Sequence, residues 1–198
     1  MESSPPMNRN LNEMTNEELW RLFPIILSEH KPEWQDSYQK EKTLLEQYIG
    51  KRNIIRINHI GSTAVTGLIA KPTIDILAEI EDNADTQRLI SNMESCGYLY
   101  KEQPKNPAPH MMFLKGYTPD GFKGQAFHVH VRFKGDWDEL HFRDYLLAHP
   151  DAAENYGKLK LDLQKKYEHD RDGYTNAKTD FIMRITSSAR VETEVKHF

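Results

Sequence analysis

Cysteine is nearly absent from the chain: Cys96 is the one such residue in 198. A lone cysteine cannot close an intramolecular disulfide, so no cross-link holds the fold. Cys96 falls just before Gly97, at the end of a predicted helix, where its plain role is that of a small apolar side chain. Long apolar runs are missing too. No stretch approaches the roughly 18 residues that a membrane span needs. The opening MESSPPMNRN holds no apolar segment of the signal-peptide kind. These absences lead to the expectation of a cytoplasmic protein with no membrane partner. An excess of positive charge is also lacking, because 26 basic and 30 acidic residues leave a net charge of −4. General nucleic-acid binding, which needs a basic face, is therefore not expected. A small basic pocket remains compatible with that balance.

What is present is a regular recurrence of apolar residues after the first dozen positions, with an apolar fraction of 38%. That suffices for one core. The reading is a disordered tail over residues 1–14 and one domain over 15–190, helical from about residue 136. Thr15 and Glu18 have the spacing of a capping box and predict a short helix that Pro24 ends. Ile25-Ile26-Leu27 reads as a short buried strand. A helix starting at Pro32 carries Trp34, Tyr38, Leu45, Tyr48 and Ile49 on one side and stops at Gly50. Strands are predicted over Ile54 to Ile60, Thr73 to Ile80, Tyr98 to Lys101, His110 to Tyr117 and Gln125 to Phe133. A helix from Ala84 to Cys96 interrupts them, and an Asp-Gly turn at Asp120-Gly121 joins the last two. The remaining chain reads as helices from Asp136 or Asp138 to His149, from Pro150 to about His169, and, after Gly173, from Thr175 or Asn176 to about Ser187.

The segment HIGSTAVTGLIAKPTIDI, His59 to Ile76, concentrates the chemistry. A strand that ends in Gly61-Ser62 and turns into a helix offers backbone N–H groups, and Ser62 or Thr63 adds a hydroxyl; such a turn holds phosphate oxygens. Most Gly-Ser turns are only helix caps. Lys71 precedes the next strand, near the same turn, where it can pair with phosphate as a point charge. Asp75 then lies in an otherwise apolar strand, and a carboxylate there is costly unless it is paired or metal-bound. His59 reads either as a pocket residue or as a hydrogen-bonded structural histidine, the second being the plainer account. Phe127-His128-Val129-His130-Val131 places two imidazoles on one face of a predicted strand, about 7 Å apart. With Asp75 they would form a set suited to zinc, manganese or iron more than to magnesium. The alternative is that both histidines merely face solvent.

HIGSTAVTGLIAKPTIDI resembles the signature of the GrpB family, within the nucleotidyltransferase superfamily that has the DNA polymerase beta-like fold. KPEWQDSYQKEK resembles the family's early helix, and FRDYLLAHPDAAENYGKLK and YTNAKTDFI resemble its C-terminal helices. The resemblance spans about Leu22 to Ile185. It implies an α+β fold, a nucleotidyltransferase-like mixed sheet flanked by helices with a C-terminal helical segment. It implies a nucleotide or phosphorylated small molecule as partner, bound by Gly61, Ser62, Thr63 and Lys71. Arg143 and Lys178 fall at positions of the family's C-terminal motifs and would join them, unless they serve in surface ion pairs with Asp144 or Asp180. The superfamily pattern adds divalent metal (Mg, Mn or Zn here), two acidic residues two apart on a strand, and a third carboxylate from a later strand.

One departure from that pattern bears on function. Asp75 fills the first acidic position, but Leu77 occupies the second, and Glu79 lies a further two residues along. Three functions stay open. The first is transfer of a nucleotidyl group to a small acceptor, with Asp75 catalytic. The second is a non-catalytic nucleotide- or metal-binding module, and the third a metal-dependent phosphoesterase built from Asp75, His128 and His130.

Overall fold

The computed structural model describes residues 11–103, 106 and 109–195. Residues 1–10 of the expected tail lie outside the described residues. Within the remaining tail residues, Leu11–Glu13 forms a 3-10 turn. The first helix, α1, is Asn16–Leu22. Its capping box is complete, since the Glu18 N–H donates to Thr15 Oγ1 at 3.2 Å and the Thr15 N–H donates to Glu18 Oε2 at 2.9 Å. The strand expected at Ile25 to Leu27 does not form. Ser28 instead makes one isolated bridge with Ala70, and the Ile25 N–H donates to the Glu168 carbonyl at 2.8 Å. Its apolar character reflects burial of Ile25, not membership of a sheet.

Helix α2 is Glu33–Leu45, and its end widens into a π turn over Glu46–Gly50. The strands are β1 (Ile54–Ile60), β2 (Thr73–Ile80), β3 (Leu99–Lys101), β4 (Met111–Thr118) and β5 (Gly121–Phe133). β5 begins four residues earlier than the composition indicated, because Thr118 pairs directly with Gly121 across the hairpin turn. The sheet order is β1-β2-β5-β4-β3. Only β2 and β5 are parallel; the other pairs are antiparallel. The expected α+β class with a mixed sheet is therefore what the chain adopts.

Alternation along β2 and β5 divides the sheet into two unlike faces. Ile74, Ile76, Ala78 and Ile80 of β2 and Val129 and Val131 of β5 join Trp34, Tyr38 and Leu45 of α2 in one core. Leu89 and Met93 of α3 (Thr86–Ser95, capped by Asp85) enter the same core. Cys96 packs at its edge with partial exposure. The opposite face carries Asp75, Leu77 and Glu79 from β2 and His128, His130 and Arg132 from β5. Every functional group nominated on these strands thus lies on the face away from the α2–α3 core.

Four helices follow the sheet: α4 (Asp138–Ala148), α5 (Pro150–Tyr167), α6 (Arg171–Asn176) and α7 (Thr179–Val195). A second core holds Val65, Leu68, Phe142, Leu146, Ala153, Tyr156 and Ile185. It fastens the segment after Ser62 to the C-terminal helices. The ending differs from expectation. Gly173 sits inside α6 and donates its N–H to the Asp170 side chain at 2.7 Å, so Asp170 is the cap. The last helix starts at Thr179, later than Thr175 or Asn176, and continues past Ser187 to Val195. Among the described residues, no helix is long and apolar enough to cross a membrane.

A buried ion pair stands where α2 meets β4. Glu41 is 4% exposed. Its Oε1 lies 2.6 Å from Lys115 Nζ and accepts a hydrogen bond from the Tyr98 hydroxyl. Glu41→Gln keeps the shape but takes the counter-charge from Lys115 and weakens a charge-assisted bond. The expected loss is about 1–2 kcal/mol, given that bonds to charged groups contribute more than neutral ones. A urea-denaturation midpoint equal to that of the parent protein would contradict this role.

Candidate functional site: a cation-lined pocket around Asp75

β1 ends at Ile60, and Gly61 turns the chain with φ 71° and ψ −172° into a 3-10 turn over Ser62–Ala64. Ile60 pairs with Asp75 across the antiparallel β1–β2 ladder, which brings the turn against that carboxylate. The approach is so close that a Cβ on Gly61 would stand 2.5 Å from Asp75 Oδ2. Glycine is thus required twice, by its dihedral angles and by its neighbour.

The parallel β2–β5 register sets Asp75 beside His128 and Leu77 beside His130. Asp75 Oδ1 lies 3.2 Å from His128 Nδ1 and 3.9 Å from His130 Nε2. His128 Nε2 meets the Tyr117 hydroxyl at 2.6 Å, and the two rings stack. Both nitrogens of His128 are therefore engaged. Burial would raise the Asp75 pKa, but the hydrogen bonds and charges of His128 and His130 outweigh it and hold the carboxyl well below its usual range. Burial lowers the His128 pKa against the pull of Asp75. Asp75 keeps 29% of its side chain exposed, so a ligand can reach it.

The cations come from four separate segments. Lys160 is 2% exposed, donates to Ser62 Oγ at 3.0 Å and also donates to the Ile69 carbonyl. Lys178 and Lys71 both approach the ring of Tyr174, at 4.4 Å and 5.6 Å from its centroid. Arg171 donates to the Phe23 carbonyl at 2.9 Å. Among the described residues none of these four cations has a carboxylate within ion-pair distance. Burial and the nearby Arg171 and Lys178 pull Lys71 down to about 7. Burial, with Lys178 and Lys71, brings Lys160 to about 7. Burial takes Lys178 to about 8 although Asp75 pulls the other way. The Tyr174 hydroxyl is buried and finds no hydrogen-bond partner among the described residues. It lies near Tyr156, whose own hydroxyl is beside Ser62.

The nominated residues divide accordingly. Gly61, Ser62, Lys71, Asp75, His128, His130 and Lys178 come together. The Thr63 hydroxyl turns inward, where it meets His59 Nε2 at 3.0 Å and donates to the Thr73 carbonyl at 3.3 Å. Arg143 donates to the His59 carbonyl at 2.9 Å and pairs with Asp144 at 2.7 Å, so it ties α4 to β1. His59 is structural: it is stacked on Tyr38, bonded to Gln35 and Thr63, and pushed down to about 4 by burial. Glu79 is fully buried, pairs with Arg56 and accepts from the Gly135 N–H at 3.0 Å. It cannot serve as the missing second carboxylate. Leu77 is itself fully buried. Among the described residues no group of three or more His, Cys, Asp or Glu is arranged to hold a metal ion. His128 meets Asp75 with one ring nitrogen and the Tyr117 hydroxyl with the other, which leaves it no nitrogen to spare for coordination, and His130 stands 3.9 Å from Asp75.

Lys160 and Arg171 escaped the sequence reading. Lys160 did leave a signal, since it repeats the spacing of Ala153, Tyr156 and Gly157 on the inward side of α5. A lysine in register with buried positions is unusual enough to mark. Arg171 left none.

Together the fold and site define a mixed-sheet α+β domain with a cation-lined pocket around one strand carboxylate. The chain belongs to the GrpB family, whose model, described as GrpB protein, matches residues 24–188. A UPF0157 protein of Pseudomonas aeruginosa is 38% identical over 164 residues, covering 82% of this chain and 66% of that protein, so the match takes in about two thirds of its length. The glutamate-rich protein GrpB of Alkalihalophilus pseudofirmus is 34% identical over 81% of this chain and 93% of its own length. The crystal structure of conserved protein GrpB from Enterococcus faecalis superposes with a TM-score of 0.75 at 31% identity, covering 85% of this chain and 99% of that one.

Proposed function

We propose that this domain binds a nucleoside triphosphate or a related phosphorylated small molecule. Its phosphate chain would lie over Lys71, Lys160, Lys178 and Arg171, with the Gly61-Ser62 turn at one side and Asp75 at the other. The observation that carries the reading is the convergence of four cations, one of them almost fully buried, without an ion-paired carboxylate among the described residues. Desolvating that many like charges is costly. An anionic ligand offsets the cost, and a phosphate chain supplies several charged acceptor oxygens for the ammonium groups. Such an oxygen would also satisfy the Tyr174 hydroxyl.

Among the described residues Asp75, His128 and His130 are not arranged as a metal centre of protein donors, which leaves the phosphoesterase reading without its centre. Orthodox two-metal nucleotidyl transfer lacks its second carboxylate at Leu77. Binding is therefore the primary reading. Transfer retains one specific support, the hydrogen-bonded chain Asp75–His128–Tyr117. Burial disfavours the charged form of this imidazole, which suits it to accept a proton through the tyrosine hydroxyl.

Calorimetric titration with ATP, CTP, GTP, UTP and inorganic triphosphate, with and without magnesium, tests the reading. Lys160→Met should weaken the bound triphosphate about tenfold, the size expected for one charge-assisted bond. Parent protein that binds none of the five would sink the proposal. Product formation that Asp75→Asn or Tyr117→Phe abolishes would move the conclusion from binding to transfer.

A further inference from the structure

A cavity of about 150 Å³ opens beside the cation cluster. It is lined by Pro24, Ile26, Pro72 and Phe122, together with Lys71 and Arg171. Ile26 is 51% and Phe122 43% exposed, which leaves an apolar rim facing solvent. The cavity is too small for a nucleotide, whose sites run from about 300 Å³ upward. It is about the size that admits one ring or a short carbon chain.

We infer that Lys71 is a nucleophilic amine that captures a small 2-oxo acid in this cavity as an imine. The apolar walls hold the alkyl body. Arg171 spends one terminal nitrogen on the Phe23 carbonyl. It has further donors for a carboxylate, whose planar shape its fork matches, although the Tyr117 hydroxyl lies close enough to feel its charge. The carbonyl carbon next to that carboxylate then meets the Lys71 Nζ. A lysine desolvated beside other cations is the established arrangement for an amine nucleophile, and at about 7 roughly half of Lys71 is uncharged at neutral pH.

Lys178 supplies the complementary acid. Its ammonium shares the Tyr174 ring with Lys71 and titrates nearer 8. In the condensation the Lys71 nitrogen lone pair forms the C–N bond and the carbonyl π pair moves to oxygen. That oxygen leaves as water with two protons. The amine gives up both of its own, so protons and electrons balance with Lys178 as shuttle. No oxidant or reductant is needed. The inference uses a lysine of the proposed phosphate site but does not depend on that site's ligand.

Incubation of the full chain with pyruvate and cyanoborohydride at pH 7, followed by peptide mapping, reads the imine as a reduced adduct. Lys71 should be modified about 100-fold faster than Lys158 or Lys165, whose side chains are 65% and 77% exposed. Hydroxyacetone, which lacks the carboxylate, should react at Lys71 at least about tenfold more slowly. Arg171→Gln should erase that preference. Lys71 reacting no faster than Lys165, adduct at Lys178 or Lys160 in its place, or equal rates with both carbonyl compounds would each overturn the inference. ATP distinguishes this failure from that of the phosphate site. Binding of ATP without labelling of Lys71 sinks only the imine. Labelling that saturating ATP leaves untouched supports the imine and sinks the phosphate site at Lys71.

Discussion

Gly61→Ala is expected to destabilise the protein by about 3 kcal/mol and to disable the pocket. Two costs combine. The dihedral pair φ 71°, ψ −172° lies in a region that side chains scarcely enter, with a penalty of about 1–3 kcal/mol. The new Cβ would also meet Asp75 Oδ2 at 2.5 Å and the Asp75 Cβ and Cγ at 3.1 Å. Asp75 cannot yield without leaving His128 and His130, and β2 cannot yield without opening the ladder to β1. Gly67 provides the control. It also has a positive φ, 78°, yet a Cβ there meets nothing within 4 Å. Gly67→Ala should therefore cost only the conformational part, about 1–2 kcal/mol. Urea denaturation of the two variants separates strain from contact. Equal losses would show that the Asp75 approach is not what fixes the glycine. The same two variants should differ in triphosphate affinity, with Gly67→Ala close to the parent protein.

This pairing of Gly61 with Asp75 also shows how far the sequence could be read. Strands β1 and β2 were legible because β-branched residues fill them, and the Gly-Ser turn was legible because a strand stops there. That the turn returns onto Asp75, fourteen residues later, depends on the antiparallel β1–β2 register, which no local spacing encodes. The same holds for His128 and His130. Their shared face followed from alternation, but their contact with Asp75 follows from the parallel β2–β5 pairing between segments about fifty residues apart. Thr63 illustrates the opposite error. Its position beside Ser62 invited a shared role, yet a 3-10 turn rotates neighbouring side chains by about a third of a circle, so Thr63 faces His59 while Ser62 faces Lys160. Arg143 was readable as a cation on a helix, but whether it meets phosphate or the His59 carbonyl is set by how α4 lies on β1. The strand expected at Ile25 failed for a related reason: burial without sheet partners produces the same apolar run.

ATP should bind with uptake of protons, and its affinity should fall at least about tenfold from pH 8 to pH 9. In the free protein Lys71 and Lys160 titrate near 7 and Lys178 near 8. At pH 8 the first two are then mostly neutral and the third is half charged. A bound triphosphate favours every ammonium form and raises all three values, so the complex holds more protons than the free protein. The terminal phosphate of ATP, with a second pKa of about 6, is already ionised in this range and releases almost none. Linkage fixes the sign: each proton taken up on binding weakens affinity tenfold per unit rise in pH. Stability of the ligand-free protein should move the other way. Lysines depressed in the folded state bind fewer protons there than in the unfolded chain between about pH 7 and pH 10, so unfolding becomes less favourable as pH rises through that window. Other groups add little slope from pH 8 to pH 9, since the depressed His59 and His128 are neutral there in both states, Asp75 stays ionised and the buried tyrosines Tyr98, Tyr156 and Tyr174 are shifted upward. Two opposed slopes in one protein are a demanding signature. A surface patch of ordinary lysines would show neither below pH 9. Calorimetry in two buffers of different ionisation enthalpy counts the protons, and Lys160→Met should lower the count by about one. Affinity that stays level from pH 8 to pH 9 would mean that the phosphates do not meet these lysines.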